Sequence, residues 1–111
     1  MSWTPIQTAA EWSQILAASH QMPQIIFKHS TRCSISSMVL NRFESSDLFV
    51  QNLCPCHYLD LIAFRELSNL IAQQTGVAHE SPQCIVLVDG KSIYAESHGS
   101  IDAKSIQLML N

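Results

Sequence analysis

Short apolar runs along the chain predict β-strands, and the segments between them have the spacing of amphipathic helices. The run 24–28 favours a strand and is continuous rather than alternating, as expected of a strand that is buried on both faces. Further β-favouring runs lie at 57–62, 83–88 and 92–96. Asp89-Gly90 joins the last two runs and is the strongest hairpin signal, so these two strands are predicted to be antiparallel.

The first two predicted helices flank the first strand. Thr8 and Glu11 have the spacing of a capping box, and apolar residues then recur at helical intervals, which predicts a helix over about 8–20. The second helix is predicted to begin at Cys33 or Ser34. Its predicted amphipathic repeat consists of Ile35, Met38, Val39, Arg42 and Phe43. Residues 45–55 are compatible with a helical extension or with a loop.

The remaining helices precede and follow the hairpin. Leu67 and Ile71 predict a third helix that ends at Gly76, a residue that readily adopts the left-handed conformation after a helix end. Ser100 is predicted to cap a last helix. The order α-β-α-β-α-β-β-α requires parallel strands with right-handed crossovers and one antiparallel pair. The predicted fold class is therefore α/β, with a four-stranded mixed sheet and helices on both faces.

The composition favours a single folded domain over residues 1–111. Hydrophobic residues make up 47% of the chain and charged residues 14%, against roughly 25% charged residues in an average soluble domain. Intrinsic disorder is therefore not expected. The net charge of -3 comes from scattered charges, and the lack of a basic cluster argues against nucleic acid and membrane as partners.

The compartment that the sequence predicts decides how its four cysteines are interpreted. The first residues lack the cationic and apolar regions of a signal peptide, and no run approaches the ~18 apolar residues of a membrane span. A cytoplasmic location is therefore expected. In that compartment the cysteines are expected to be thiols, redox centres or metal ligands rather than structural disulfides.

Cys33 is the candidate for chemistry. It follows a predicted strand and begins a predicted helix, where unpaired N–H groups and the positive end of the helix dipole stabilise an anion. Such a position lowers the pKa of a thiol from ~8.5 towards ~3.5–7.5, and the neighbouring Arg32 adds a cation. Ser36 lies one turn further along the same helix face, where its hydroxyl can donate to the sulfur. Cys33 is therefore predicted to be a reactive thiolate.

A second signal is Ser81-Pro82, directly before the most strand-like run. A cysteine at the start of the helix after the first strand, together with this proline, resembles the thioredoxin superfamily, in which the proline is cis and faces the active-site cysteine. Three segments, in this order, resemble the monothiol bacilliredoxin, or YtxJ-like, family over nearly the full length. They are KHSTRCSISSM at 28–38, YLDLI at 58–62 and HESPQ at 79–83.

The resemblance implies a thioredoxin fold and a thiol–disulfide exchange enzyme that removes bacillithiol from S-bacillithiolated proteins. It also implies that Cys33 is the nucleophile, that Pro82 is the cis-proline, and that Ser36 occupies the place of the resolving cysteine of dithiol relatives. The residues implied to shape the site are Thr31, Arg32, Ser36, Ser81 and Pro82. The chain departs from the usual Thr-Cys-Pro-Ile-Ser of the family at Arg32 and Ser34, and it has Gly99 where a bulky aromatic residue is common.

The count of sulfur atoms predicts a monothiol mechanism. Because Ser36 has no sulfur, an internal disulfide cannot form at that position. Cys33 is then expected to retain a small thiol as a mixed disulfide until another thiol or a reductase removes it. No bound cofactor is expected, and the bacillithiol-like, low-molecular-weight thiol is a co-substrate. The expected partners are S-thiolated proteins, and the backbone of Ser81 can pair with an extended segment of such a protein.

The segment Cys54-Pro55-Cys56-His57 leaves three interpretations open. Its soft ligands suit zinc or copper, but a closed site needs four ligands and no second Cys/His pair has matching spacing, so no metal is expected. A loop-plus-strand role is favoured, and Cys54 or Cys56 is a candidate resolving thiol for Cys33. Cys84, inside an apolar run, is expected to be a small buried hydrophobe. His29 is close to Cys33 in sequence and can tune its thiolate, but a solvated residue at a strand end is favoured.

Two function classes therefore compete. The favoured class is an enzyme, a monothiol disulfide reductase. The alternative is a redox-inactive thioredoxin-fold module that binds peptides beside Pro82. The fold does not separate them, but thiol reactivity does, because a binding module tolerates the substitution Cys33→Ser.

Overall fold

A five-stranded mixed sheet with helices packed against it forms the computed structural model, which describes residues 3–110. The strands are β1 (Thr4–Pro5), β2 (Gln24–His29), β3 (Cys56–Asp60), β4 (Gln83–Val88) and β5 (Lys91–Ser97). The helices are α1 (Ala9–Ala18), α2 (Ser34–Glu44), α3 (Asp47–Val50), α4 (Arg65–Thr75) and α5 (Ala103–Leu110), and one 3-10 turn covers His98–Ser100. None of the helices within residues 3–110 has the length and apolarity that crossing a membrane requires.

The strand order is β1-β3-β2-β4-β5. β2 and β3 are parallel neighbours, whereas β4 is antiparallel to both β2 and β5. β4 turns into β5 at Asp89 and Gly90, whose φ angles of 54° and 76° are both positive, as a tight type I′ hairpin requires. The predicted α/β class, the mixed sheet and the hairpin are confirmed.

The sheet has one strand more than the four predicted. Thr4 and Pro5 pair with residues of β3, and the N–H of Ile6 donates to the backbone oxygen of Tyr58 at 2.9 Å. A two-residue pairing that includes a proline leaves no periodicity in the sequence. The prediction of four strands is therefore wrong at this edge of the sheet.

The side chains of β2 alternate between two cores. Ile25 and Phe27 pack in a cluster with residues of α2, α3 and α5, whereas Ile26 packs in a second cluster with residues of α1 and α4. All three side chains are 0% exposed. The continuous apolar run of β2 is thus explained, because helices cover both faces of the sheet.

The buried face of α2 differs from the predicted one. Its buried residues are Ser36, Val39 and Phe43, whereas Ile35 and Met38 are 54% and 66% exposed. The prediction that Ile35 and Met38 belong to the buried stripe is wrong. The helix is turned so that the hydroxyl of Ser36 points inward to a buried partner, described below.

Two aspartates set boundaries that the apolar pattern does not show. Oδ1 of Asp60 accepts a hydrogen bond from the N–H of Ile62 at 3.1 Å, so β3 ends at Asp60 and not at Ile62. Oδ1 of Asp102 accepts from the N–H of Lys104 at 3.1 Å, and α5 begins directly after Asp102. The prediction that Ser100 caps this helix is wrong.

Other helix boundaries follow local signals. Thr8 and Glu11 form the predicted capping box at the start of α1, and Gly76 ends α4 with a φ of 74°. The segment 45–55, compatible in sequence with a helix or a loop, contains the short helix α3. This helix begins after Ser46, whose hydroxyl accepts a hydrogen bond from a backbone N–H.

Candidate active site

Cys33 lies between the end of β2 and the start of α2. Its N–H donates to the backbone oxygen of Ser30 at 3.2 Å, and its own backbone oxygen accepts from the N–H of Ser37 at 3.1 Å as the first bond of the helix. Its thiol is half-buried and makes no capping hydrogen bond. N–H groups of the first helical turn lack intrahelical partners, and their partial positive charge favours an anion at this position.

Ser36 is buried behind this turn. Its Oγ lies 2.6 Å from Nδ1 of His29 and accepts a hydrogen bond from the N–H of Ser30 at 3.2 Å. Among the hydrogen bonds of residues 3–110, the predicted bond from Ser36 to the sulfur of Cys33 is not found. The hydroxyl is instead held by the strand and by the loop that leads to Cys33.

His29 is a buried residue and not a solvated one. The side chain is 4% exposed, so the expectation of a solvated strand end is wrong. Burial lowers the pKa of His29, while the carboxylates of Asp60 and Glu44 act in the opposite direction. The imidazole is also close to Tyr58, with 5.6 Å between the ring centroids. At neutral pH the imidazole is therefore mainly uncharged.

The Ser81–Pro82 peptide bond is cis, and Pro82 is buried. The backbone oxygen of Pro82 accepts a hydrogen bond from the N–H of His98 at 2.9 Å. The hydroxyl of Ser81 is buried and has no hydrogen-bond partner among the described residues. Contact between the ring of Pro82 and the sulfur of Cys33 stays a prediction.

Arg42 joins α2, the helix that follows Cys33, to the segment between β5 and α5 by hydrogen bonds. Its Nη2 donates to the backbone oxygens of Gly99 at 3.3 Å and Ile101 at 3.0 Å. Because the same connection is bonded to Pro82 through His98, the three loops are linked by hydrogen bonds.

The outer surface next to Cys33 is partly apolar. Thr31 and Arg32 are exposed on the loop before it, and Ile35 and Met38 are exposed on the helix after it. Exposed apolar side chains beside a reactive group offer contact area to a partner molecule. Ile35 and Met38, whose spacing predicts burial, therefore lie on the surface near the candidate nucleophile.

The other three cysteines are buried in the core on the α2 side of the sheet. Burial raises the pKa of Cys54 to about 11 and that of Cys56 to about 12, and it also raises the pKa of Cys84. Cys56 pairs with Ile25, four residues before the end of β2 and thus roughly 13 Å along the strand from that end. The structure does not bring Cys54 or Cys56 to Cys33. The predicted burial of Cys84 is confirmed, at 0% exposure.

His57 faces away from these thiols. Successive residues of a strand point to opposite faces, and Nε2 of His57 lies 2.7 Å from Oε1 of Gln24, whereas Cys56 belongs to the other core. Within residues 3–110 no three His, Cys, Asp or Glu side chains are grouped so that they can hold a metal ion. The segment 54–57 is a turn followed by a strand, as favoured from the sequence.

Sequence reasoning did not find the hydrogen-bond partners of His29 and Arg42. Their partners lie 7 and 57 to 59 positions away along the chain, so local spacing does not show them. A signal for His29 was present in the continuous burial expected of β2, because a strand covered on both faces also buries its polar residues.

Comparison with known proteins agrees with this geometry. The family described as monothiol bacilliredoxin BrxC matches residues 4–106. A solved structure described as having a thioredoxin fold has 28% identity and a TM-score of 0.82, over 95% of this chain and 90% of its own. A thioredoxin of Malassezia sympodialis has 15% identity and a TM-score of 0.73, over 98% of this chain and 88% of its own. A thioredoxin of Schistosoma mansoni has 12% identity and a TM-score of 0.74, over 99% of this chain and 96% of its own.

These matches show the thioredoxin fold and a thiol-redox protein. The family match extends over β1 to most of α5, so it includes the turn at Cys33 and the cis bond at Pro82. The chain belongs to the monothiol bacilliredoxin family.

Proposed function

We propose that the protein is a monothiol disulfide reductase that uses Cys33 to remove a bacillithiol-like, low-molecular-weight thiol from S-thiolated proteins. The observation that carries the proposal is the contrast between the four thiols. Cys33 is half-exposed at a helix N-terminus, whereas burial raises the pKa of Cys54, Cys56 and Cys84. A thiolate is the nucleophile in thiol–disulfide exchange, and buried protonated thiols do not supply one.

The reaction has two exchange steps. In the first, the thiolate of Cys33 attacks the small-thiol sulfur of the mixed disulfide; the original S–S bond breaks, and the protein thiolate leaves and takes a proton from water. Cys33 then holds the small thiol as a new mixed disulfide. In the second, an external thiolate attacks the small-thiol sulfur and releases the thiolate of Cys33. The external thiol supplies the reducing electrons and ends in a disulfide with the small thiol.

Two features of the site support a protein as the substrate. The backbone of Ser81, directly before the buried Pro82, can pair with an extended segment of a partner. Ile35 and Met38 add exposed apolar area next to Cys33. A protein that carries a disulfide on an accessible segment can use both.

The position of Ser36 supports the monothiol mode. In dithiol relatives a second cysteine at this place attacks the first mixed disulfide. Here the residue is a serine, and its hydroxyl is bonded to His29 and Ser30 inside the protein. The mixed disulfide on Cys33 therefore waits for an external thiol or reductase.

The test is the removal of the small thiol from an S-thiolated protein, followed by intact mass. The wild type is expected to release the substrate protein and to gain the mass of one small thiol, mapped to Cys33 by digestion. Cys33→Ser is expected to lose the activity, and Cys84→Ser, a buried thiol, is the matched control that keeps it. An unmodified Cys33 in wild type, with full peptide binding retained by Cys33→Ser, would instead support a redox-inactive binding module.

A further inference from the structure

A buried hydrogen bond joins the end of β2 to the first turn of α2. Nδ1 of His29 lies 2.6 Å from Oγ of Ser36, and the two residues are 4% and 0% exposed. A buried polar group that loses its partner is strongly disfavoured, so this pair is a fixed part of the folded protein. The exchange steps proposed for Cys33 make no use of it.

The same hydroxyl is bonded to the loop that leads to the nucleophile. The N–H of Ser30 donates to Oγ of Ser36 at 3.2 Å, and the N–H of Cys33 donates to the backbone oxygen of Ser30 at 3.2 Å. Ser36 is the third residue of α2 and Cys33 is its N-cap, so the two side chains lie one turn apart on the same side of the helix. His29, Ser36, Ser30 and Cys33 therefore form one connected unit.

A proton count shows what His29 controls. A serine hydroxyl has one proton and two lone pairs, and a neutral imidazole has one N–H. When Nδ1 of His29 has no proton, Ser36 donates its proton to His29 and has none left for the sulfur. When Nδ1 is protonated, Ser36 accepts from His29 and Ser30, and its own proton is free to point towards Cys33.

We infer that His29 is a positioning residue for Cys33. His29 acts through Ser36, because it sets the direction in which the hydroxyl proton of Ser36 points. The inference rests on the proposed function, because it takes Cys33 as the nucleophile. A protonated His29 favours the thiolate through the freed donor and through its positive charge. When His29 loses the proton from Nδ1 and keeps the one on Nε2, Ser36 donates to Nδ1 and the thiolate loses that donor; this coupling broadens the ionisation of Cys33.

Two carboxylates, a phenol and, through Ser36, a thiol face the imidazole of His29. From β3 these are Tyr58, whose ring centroid is 5.6 Å away, and Asp60; from α2 they are Glu44 and, through Ser36, Cys33. Burial lowers the pKa of His29, whereas the two carboxylates raise it. Burial also raises the pKa of Tyr58, which therefore stays uncharged in this range.

The experiment measures the rate of alkylation of Cys33 by iodoacetamide against pH, with the modified peptide identified by mass. In the wild type we expect the rise from 10% to 90% to extend over more than the about 2 pH units of a single ionisation. His29→Leu is expected to give a single ionisation. Ser36→Ala is expected to give a narrower profile than the wild type, with its midpoint about half a pH unit higher, because the thiolate loses a donor. In the Ser36→Ala background, His29→Leu is expected to have a smaller effect than in the wild type, because only the charge of His29 still acts on Cys33.

The outcomes are distinguishable. Thermal unfolding shows whether each variant is folded, and His29→Asn, which keeps a polar but non-titrating group, replaces His29→Leu if the latter unfolds. Superimposable profiles of the wild type and a folded His29 variant overturn the inference, as does an additive effect in the double variant. If Cys33 is alkylated no faster than Cys84 in every protein, the proposed function fails instead.

Discussion

Nη2 of Arg42 lies 3.0 Å from the backbone oxygen of Ile101, and this bond connects α2, the helix that follows Cys33, to the segment that follows β5. That segment is also bonded to the cis-proline, because the N–H of His98 donates to the backbone oxygen of Pro82 at 2.9 Å. One guanidinium therefore links the helix of the candidate nucleophile to the loop around Pro82.

Arg42→Ala is expected to impair protein substrates more than small reagents. The variant loses the two bonds from the guanidinium to Gly99 and Ile101, which is expected to lower the free energy of unfolding by about 1 kcal/mol. We expect kcat/KM for an S-thiolated protein to fall several-fold, while alkylation of Cys33 by iodoacetamide is unchanged. Lys104→Ala, which removes an exposed cation from α5, is the control for lost charge. Equal kcat/KM for both variants would contradict the role assigned to Arg42.

Ser36→Cys is expected to convert the site to a dithiol. The introduced thiol would lie beside Nδ1 of His29, which can accept its proton. The resulting thiolate attacks the sulfur of Cys33 in the mixed disulfide and expels the small thiol, so the product is an internal disulfide. After incubation with an oxidised small thiol, intact mass should show the loss of two hydrogens in place of an adduct. Ser37→Cys, one residue further along α2 and so on another side of the helix, is the control and should keep the adduct.

The buried thiols are expected to be silent in the folded protein. A thiol reagent such as Ellman's should titrate one of the four cysteines under native conditions and all four in denaturant. Replacement of both Cys54 and Cys56 by Ser should leave the first exchange step unchanged, because burial raises the pKa of each thiol and both lie towards the far end of β2. Loss of the first turnover in this double variant would mean that the nucleophile has been assigned to the wrong residue.

Features encoded in neighbouring residues could be predicted from the sequence. Thr8 and Glu11 bond each other within one helical turn, and Asp89 and Gly90 adopt the conformation of a tight turn, so their signals are local. The place of Cys33 at the start of α2 follows in the same way, from a strand and a helix that are adjacent in the chain.

Features that depend on another element could not be predicted. The apolar spacing of α2 favours burial of Ile35 and Met38, but the helix is turned by a polar contact between Ser36 and His29 of β2. The helical spacing of apolar residues indicates which face is hydrophobic, but it gives no sign of a polar contact such as this one. β1 was missed for a related reason, because its two residues are ordered by pairing with β3, more than fifty positions away.

Lys28 is a buried cation that affects the free energy of unfolding and has no part in the proposed reaction. The side chain is 0% exposed, and its ammonium donates to the backbone oxygen of Ser68 at 3.1 Å. It lies across from Gln83 of β4, whose Oε1 has no hydrogen-bond partner among the described residues. Burial lowers the pKa of Lys28 to about 8 because no carboxylate compensates the loss of hydration.

The stability of the wild type relative to Lys28→Met is therefore expected to rise with pH. Below about pH 8 the lysine is protonated in both the folded and the unfolded chain, and the folded state bears the full cost of the buried charge. Between about pH 8 and the ordinary lysine pKa of 10.5, only the unfolded chain still binds the proton, which favours the folded state. Lys28→Met should thus be more stable than the wild type by about 2 kcal/mol at pH 7, and the difference should shrink by pH 10. Cys54 and Cys56 act in the opposite direction at high pH, but both proteins contain them, so their effect cancels.

Urea unfolding at the two pH values measures the difference, with Lys91→Met on the exposed strand β5 as the control. A difference that is the same at pH 7 and pH 10 would show that Lys28 is not a buried cation in the folded protein.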